Sequence, residues 1–279
     1  MVNVTFYGVR GSTPCGGEAT SRYGGNTSCV VVESPGEEPI VCDLGTGLRN
    51  YGTTQPTDGT FRGTALVSHT HWDHIQGLPF FPPILAPGAE FDVYGPAQDD
   101  GATFGDVYTS FMARPLFPVT IDDLPGSVRF KDANDTSFDV GGAHVTARTV
   151  PHCGVTNGYR IDWHGVSVAY LPDHQQPLDG PFRLTPEARQ LCEGVDLLIH
   201  DAQYTPAEFA RKSTWGHCTV EYAMWVAHEA GAQRLALFHH DPSRDDAALD
   251  ELAICARAWG DKLGIEVIAA REGLTVSFA

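Results

Sequence analysis

Three shortages narrow the field before any motif is read. No stretch of the 279-residue chain approaches the roughly 18 uninterrupted apolar residues that a membrane-spanning helix needs, which argues against a membrane partner. Basic residues are scarce: 18 Lys and Arg face 35 Asp and Glu, a formal charge of -17 that works against non-specific contact with nucleic acid or an anionic lipid surface. No C-x-x-C pair exists among the seven scattered cysteines, so neither a zinc ribbon nor a dithiol redox motif is encoded, and the thiols are expected reduced and mainly buried. The opening Met1 to Phe6 reads as a strand without a basic leader, which predicts a soluble cytoplasmic protein. A homodimer is compatible with all of this.

Apolar content of 42% is ordinary for a chain that buries a real core, and no repeat, low-complexity tract or linker divides it, so one domain over 1–279 is the simplest organisation. Strand-like runs rich in β-branched and aromatic residues fall at 2–9, 29–33, 40–43, 65–68, 91–94 and 128–131. They continue at 144–150, 159–163, 166–171, 195–200, 235–239, 265–269 and 274–278. Helical spacing is clearest for Leu249, Leu252, Ala253, Ala256 and Trp259, with Ser243 and Asp246 as start signals, and for 220–230 behind Thr219 as a cap. Helices are also expected near 98–112 and 186–192. Interspersed strands and helices predict a layered α/β architecture. The Gly-rich stretch 11–27 reads as a loop of the kind that borders sites, with Arg10, Ser12 and Asn26 as weaker candidates for substrate contact.

The most informative segment is Leu66-Val67-Ser68-His69-Thr70-His71-Trp72-Asp73-His74. A strand-like run ends at Ser68 and four potential metal ligands follow within six residues. His69 and His71 are two apart, so in extended backbone their side chains lie on one side and can share an ion. Asp73 and His74 stand where a turn can aim them at a neighbouring ion.

H-x-H-x-D-H after a strand resembles the signature of the metallo-β-lactamase superfamily, and further elements follow in that family's order. Asp43 in Asp43-Leu44-Gly45, His152 in Val150-Pro151-His152, Asp173 in Leu171-Pro172-Asp173-His174 and His239 in Phe238-His239-His240 each close a strand-like run. The resemblance implies a four-layer αββα sandwich with two divalent metal ions at the sheet edge. It implies that His69, His71 and His152 bind one ion, that Asp73, His74 and His239 bind the second, and that Asp173 bridges them. Zinc suits such imidazole and carboxylate ligands, with manganese or iron as alternatives. Asp43 then orients a ligand without touching metal, or else shapes the turn before Gly45.

Two divalent ions, two ligand carboxylates and a bridging hydroxide leave a local charge of +1, which attracts a small anionic substrate even in an acidic protein. Hydrolysis is the expected reaction. Trp215-Gly216-His217-Cys218-Thr219 resembles the His-containing element of the tRNase Z and small cyclic phosphodiesterase branch, which implies that His217 assists catalysis; a helix-capping or packing role is its alternative. Ala202-Gln203-Tyr204 is similar to the same branch. Asp201 is a candidate supporting residue, and His174 and His240 are weaker ones. Small cyclic phosphodiesters are therefore the leading substrate class. Lactone or β-lactam hydrolysis, tRNA 3′ processing and a non-catalytic metal-binding sensor or assembly factor are the competing readings. No basic, Gly-rich insertion is present to hold RNA. One phosphodiesterase of this branch carries extra cysteines in its N-terminal loop, where this chain has only Cys15.

Overall fold

A computed structural model describes residues 1–279. Fourteen strands form two seven-stranded sheets. The first contains β1 (Val2–Gly8), β2 (Cys29–Glu33), β3 (Ile40–Cys42), β4 (Arg62–Leu66), β5 (Glu90–Gly95) and β6 (Ser127–Asp132), with β14 (Thr275–Phe278) added beside β1. The second runs in chain order through β7 (Ser137–Val140), β8 (Ala143–Thr149), β9 (Asn157–Trp163), β10 (Val166–Leu171), β11 (Leu197–Asp201), β12 (Arg234–Phe238) and β13 (Glu266–Ala269). Each sheet is half antiparallel and half parallel: β3 to β6 and β10 to β13 are the parallel parts.

Side-chain alternation explains the layering. Val2, Val4 and Phe6 of β1 point into a core shared with Val145, Tyr159, Ile161, Val168, Tyr170 and Phe238 of the other sheet, so the two sheets bury one face against each other. The opposite faces are covered by helices. Leu48 and Tyr51 of α1 (Gly47–Gly52) and Phe104 and Tyr108 of α3 (Phe104–Phe111) cover the first sheet, where α2 (Trp72–Ile75) also contributes Ile75. The second sheet is covered by α4 (Pro186–Cys192), α6 (Val220–Ala230) and α7 (Asp246–Leu263), while α5 (Pro206–Lys212) rides on the surface and buries nothing. The result is the αββα sandwich. No helix is long and apolar enough to cross a membrane.

Several local expectations shift by physical causes. The helix expected over 98–112 begins only at Phe104, because Gly101 turns back on Gln98 and Thr103 with Asp106 forms a capping box. The cap of α7 is Asp245; Ser243 bonds Asp241, and Asp246 accepts the backbone N–H groups of Arg22 and Tyr23. Of the seven cysteines, all are free; four are buried and Cys153 and Cys255 are exposed.

The parallel halves position the site. Cys42 pairs with Leu66 and Leu171 with His200, while Asp201 pairs with Phe238. The chain therefore leaves β3 and β4 side by side from one sheet, and β10, β11 and β12 side by side from the other. Their carboxyl ends open on one crevice, the place where α/β sheets usually build sites.

Candidate metal centre and cleft

Every side chain singled out from the metal-binding pattern converges at that crevice. Ligand-capable atoms of His69, His71 and His152 lie within 4.8 Å of one another, as do those of Asp73, His74 and His239, and those of His69, His74 and Asp173. Nε2 of His239 is 3.3 Å from Nε2 of His74 and 3.1 Å from Oδ2 of Asp73; Nε2 of His152 is 3.3 Å from Nδ1 of His71. About 3.3 Å is the edge expected of a tetrahedron with metal–nitrogen bonds of roughly 2.0–2.1 Å.

Two buried atoms test whether a cation fits. Nε2 of His69 and Oδ2 of Asp173 are shielded from solvent and make no hydrogen bond, a costly state for a protein interior unless a ligand satisfies them. Oδ2 of Asp173 sits 3.1 Å from His74 Nε2 and 3.4 Å from His239 Nε2 without bonding geometry to either. The donors fit divalent cations. Burial drives His69 well below the usual imidazole range and His152 down to about 4, which keeps both as neutral ligands. At His74 burial acts the same way but is outweighed by Asp73, Asp173 and Asp43, which raise it. Three carboxylates around one imidazole demand positive charge there, and a cation supplies it as well as a proton does.

A second layer of side chains fixes the rings. Asp43 accepts from Nδ1 of His74 at 2.7 Å, from the Ser68 backbone at 2.7 Å, from the Ser68 hydroxyl at 3.0 Å and from the Tyr170 hydroxyl at 2.7 Å. Gln203 Oε1 holds Nδ1 of His239 at 2.8 Å, and the Gly216 carbonyl holds Nδ1 of His152 at 2.6 Å. The Ser12 backbone N–H donates to Asp73 Oδ2 at 2.7 Å. Such contacts set the tautomer and aim of a ligand.

Backbone strain and close packing accompany this layer. Ser12, Asp43 and His239 adopt positive φ of 62°, 61° and 57°, which costs about 1–3 kcal/mol each for residues with a Cβ. A Cβ on Gly11 would lie 2.4 Å from the His239 ring, and one on Gly216, itself at φ 93°, would lie 2.4 Å from the His152 ring. Glycine is required at both points.

His217 stands at the edge of the cluster. Its Nδ1 is 3.0 Å from Asp201 Oδ2 and 3.4 Å from Asp173 Oδ1. Burial lowers its proton affinity, but Asp201, then Asp173 and Asp73, outweigh this and raise it. His217 lines an open cleft of about 560 Å³ with Ser12, Thr70, His71, Trp72, Asp73, Asp173 and Trp215.

Some weaker candidates lie elsewhere. Arg10 is fully buried and donates to the carbonyls of Gly24, Asp241 and Arg244, so it braces the 11–27 loop and does not face the cleft. Asn26 is tied to Glu272. His174 packs behind the site with Nδ1 2.8 Å from His200 Nε2, and His240 bonds the Ala270 carbonyl. The left-handed turn at His239, which ends β12 at Phe238, turns His240 away. Ser68 and Tyr170 carry no local signal of their supporting role, and Gln203 is marked only by its place in Ala202-Gln203-Tyr204, because each meets its partner through the tertiary fold.

A two-sheet sandwich carrying a His/Asp cluster at the carboxyl ends of its parallel strands defines a metal-dependent hydrolase of the metallo-β-lactamase fold. Residues 40–240 match the family model described as the Beta-lactamase superfamily domain, and the chain belongs to the metallo-β-lactamase superfamily, in the branch that holds ribonuclease Z. Ribonuclease Z of Salinibacter ruber is 39% identical, the match covering 80% of this chain and 82% of that protein. Ribonuclease Z of Haloarcula marismortui is 27% identical over 98% of this chain and 96% of its own length. The crystal structure of a diphosphatase from the PhnP family superposes with a TM-score of 0.72 at 19% identity, covering 100% of this chain and 98% of the other, which is a likeness of fold.

Proposed function

We propose that the chain is a dinuclear phosphodiesterase whose substrates are small cyclic phosphodiesters. In this reading His69, His71 and His152 hold one divalent cation, Asp73, His74 and His239 hold the other, Asp173 serves both, and Asp43 orients His74. Imidazole and carboxylate donors suit zinc, with manganese or iron as alternatives that donor type alone does not separate. Bound cations of this kind supply Lewis acidity and make water a nucleophile near neutral pH.

The observation that carries the reading is the Asp201–His217 pair beside Asp173 in the cleft. Asp201 accepts from Nδ1 and, with Asp173, favours the imidazolium, whose second proton, at Nε2, is directed away from the carboxylates. As the P–O bond breaks, the leaving oxygen takes that proton, which an alkoxide needs and a stable phenolate does not. A lactone also expels an alkoxide and a β-lactam an amide nitrogen, so the pair speaks against a non-catalytic sensor, and the 39% identity to a ribonuclease Z favours a phosphodiester over either.

Cleavage of an RNA precursor is the second reading, favoured by the 39% identity to a ribonuclease Z. The charge of -17 weighs against a polyanion. The test is metal quantification on the purified protein followed by one panel: bis-(p-nitrophenyl) phosphate, cyclic nucleotides, a phosphoribosyl cyclic phosphate, precursor tRNA and a lactone. Turnover of cyclic phosphodiesters well above the rest is expected. Preference for precursor tRNA would select the second reading, and turnover of the lactone alone would discard both.

A further inference from the structure

The chain has five tryptophans. Trp163 is buried, and Trp225 and Trp259 pack partly buried against the helical core. The other two, Trp72 and Trp215, are 73% and 60% exposed, and both line the cleft that contains His71, Asp173 and His217. A single exposed apolar side chain needs no explanation, but two large aromatic ones at the mouth of one polar cleft make a surface of the kind that marks a binding site. They come from separate parts of the chain: Trp72 opens α2 between His71 and Asp73, whereas Trp215 precedes Gly216 and His217.

Trp215 is also held in place. The Lys212 ammonium lies 5.4 Å from its ring centroid and is itself fixed 2.9 Å from Asp241. The Trp215 backbone N–H donates to the Lys212 carbonyl at 3.0 Å. An indole ordered before its ligand arrives loses less freedom on binding.

We propose that Trp72 and Trp215 form a stacking subsite for the nucleobase of the substrate, so that the phosphodiester cleaved is that of a free nucleotide. Indole faces stack on any base with little sequence preference, and the hydroxyls of Ser12 and Thr70 in the same cleft suit a ribose. The acidic surface favours a mononucleotide over the end of an RNA chain. This inference rests on the phosphodiesterase reading for its substrate, but the subsite itself is open to a test that needs no turnover.

That test uses the metal-loaded protein and two probes, adenosine 5′-monophosphate and ribose 5-phosphate, followed by quenching of tryptophan fluorescence and by competition. The nucleotide is expected to quench and to bind at least tenfold tighter than the sugar phosphate. Trp72→Ala and Trp215→Ala should each weaken nucleotide binding, and raise KM for a 2′,3′-cyclic nucleotide, by about 5- to 150-fold. The loss on a base-free cyclic phosphate should be at least fivefold smaller. Trp72→Phe and Trp215→Phe should restore most of the affinity, with metal content unchanged. Equal binding of both probes, or equal losses on substrates with and without a base, would overturn the subsite. Faster turnover of precursor tRNA than of the mononucleotide would overturn the assignment to free nucleotides. Absence of all phosphodiester turnover, with the nucleotide still bound tightly through both indoles, would reject the phosphodiesterase reading and leave the subsite standing.

Discussion

The two halves of the metal cluster are built differently. Asp73, His74 and His239 are buried, and their ring nitrogens and oxygens are held by Asp43, Gln203 and the Ser12 backbone, with Ser68 and Tyr170 bracing Asp43 in turn. In the half made by His69, His71 and His152, His69 is buried with Nδ1 3.0 Å from the Ser68 hydroxyl. His71 is exposed, and His152 depends on the single carbonyl of Gly216. Side-chain support is denser around the first set than around the second. The inner half, Asp73, His74 and His239, is therefore the more fully braced, the outer half, His69, His71 and His152, the less, and both reach the cleft, through Asp73 and His71.

Asp173 spans this divide, so its removal is the most damaging change. Asp173→Ala should reduce metal content from about two ions per chain to below one, because two cations would repel across the gap left between them. Elemental analysis of the purified variant checks this; two retained ions with unchanged activity would remove Asp173 from the site. His217→Ala should keep both ions yet lose about 10²–10⁴-fold in turnover of an ester with a poor leaving group. Its loss on a p-nitrophenyl ester should be far smaller, and equal losses on both would move the histidine from proton donation to substrate positioning.

Changes in the supporting layer should be milder and should respect the divide. Asp43→Asn is expected to weaken the inner ion by about 10–100-fold with circular dichroism unchanged, while the outer ion is little affected. Equal weakening of both would show that the halves do not act separately. Chelation of the metals should lower the melting temperature by about 5 °C or more, since ions bound only to the folded chain stabilise it by mass action.

Much of this was legible in sequence where local order carries the chemistry. The spacing of His69, His71, Asp73 and His74 predicts their convergence, because turn and strand geometry act over a few residues. The helix 220–230 has the bounds its cap and periodicity predict, and the helix expected near 186–192 spans Pro186–Cys192. Expectation fails where burial gives no pattern. Strand β7 alternates Ser, Phe, Asp and Val but over only four residues at a sheet edge, too short a run to stand out, and α5 has the clear capping box Thr205 with Glu208 but no buried stripe to mark it. The hydrogen bond from Tyr170 to Asp43 joins two sheets across 127 residues, and no local rule reaches that far. Likewise the left-handed backbone at Asp43 and His239, uncommon for any residue with a Cβ though least so for Asp and His, is set by the packed site, and it decides which way His240 points.

One carboxylate, Asp173, is expected to join two unequal cation sites, and titration of zinc into the metal-free chain by calorimetry tests this most directly. Two binding events are predicted, the first tighter by at least tenfold, with Asp43→Asn weakening the tight event. A single event of one ion per chain, or two events indifferent to Asp43, would contradict it.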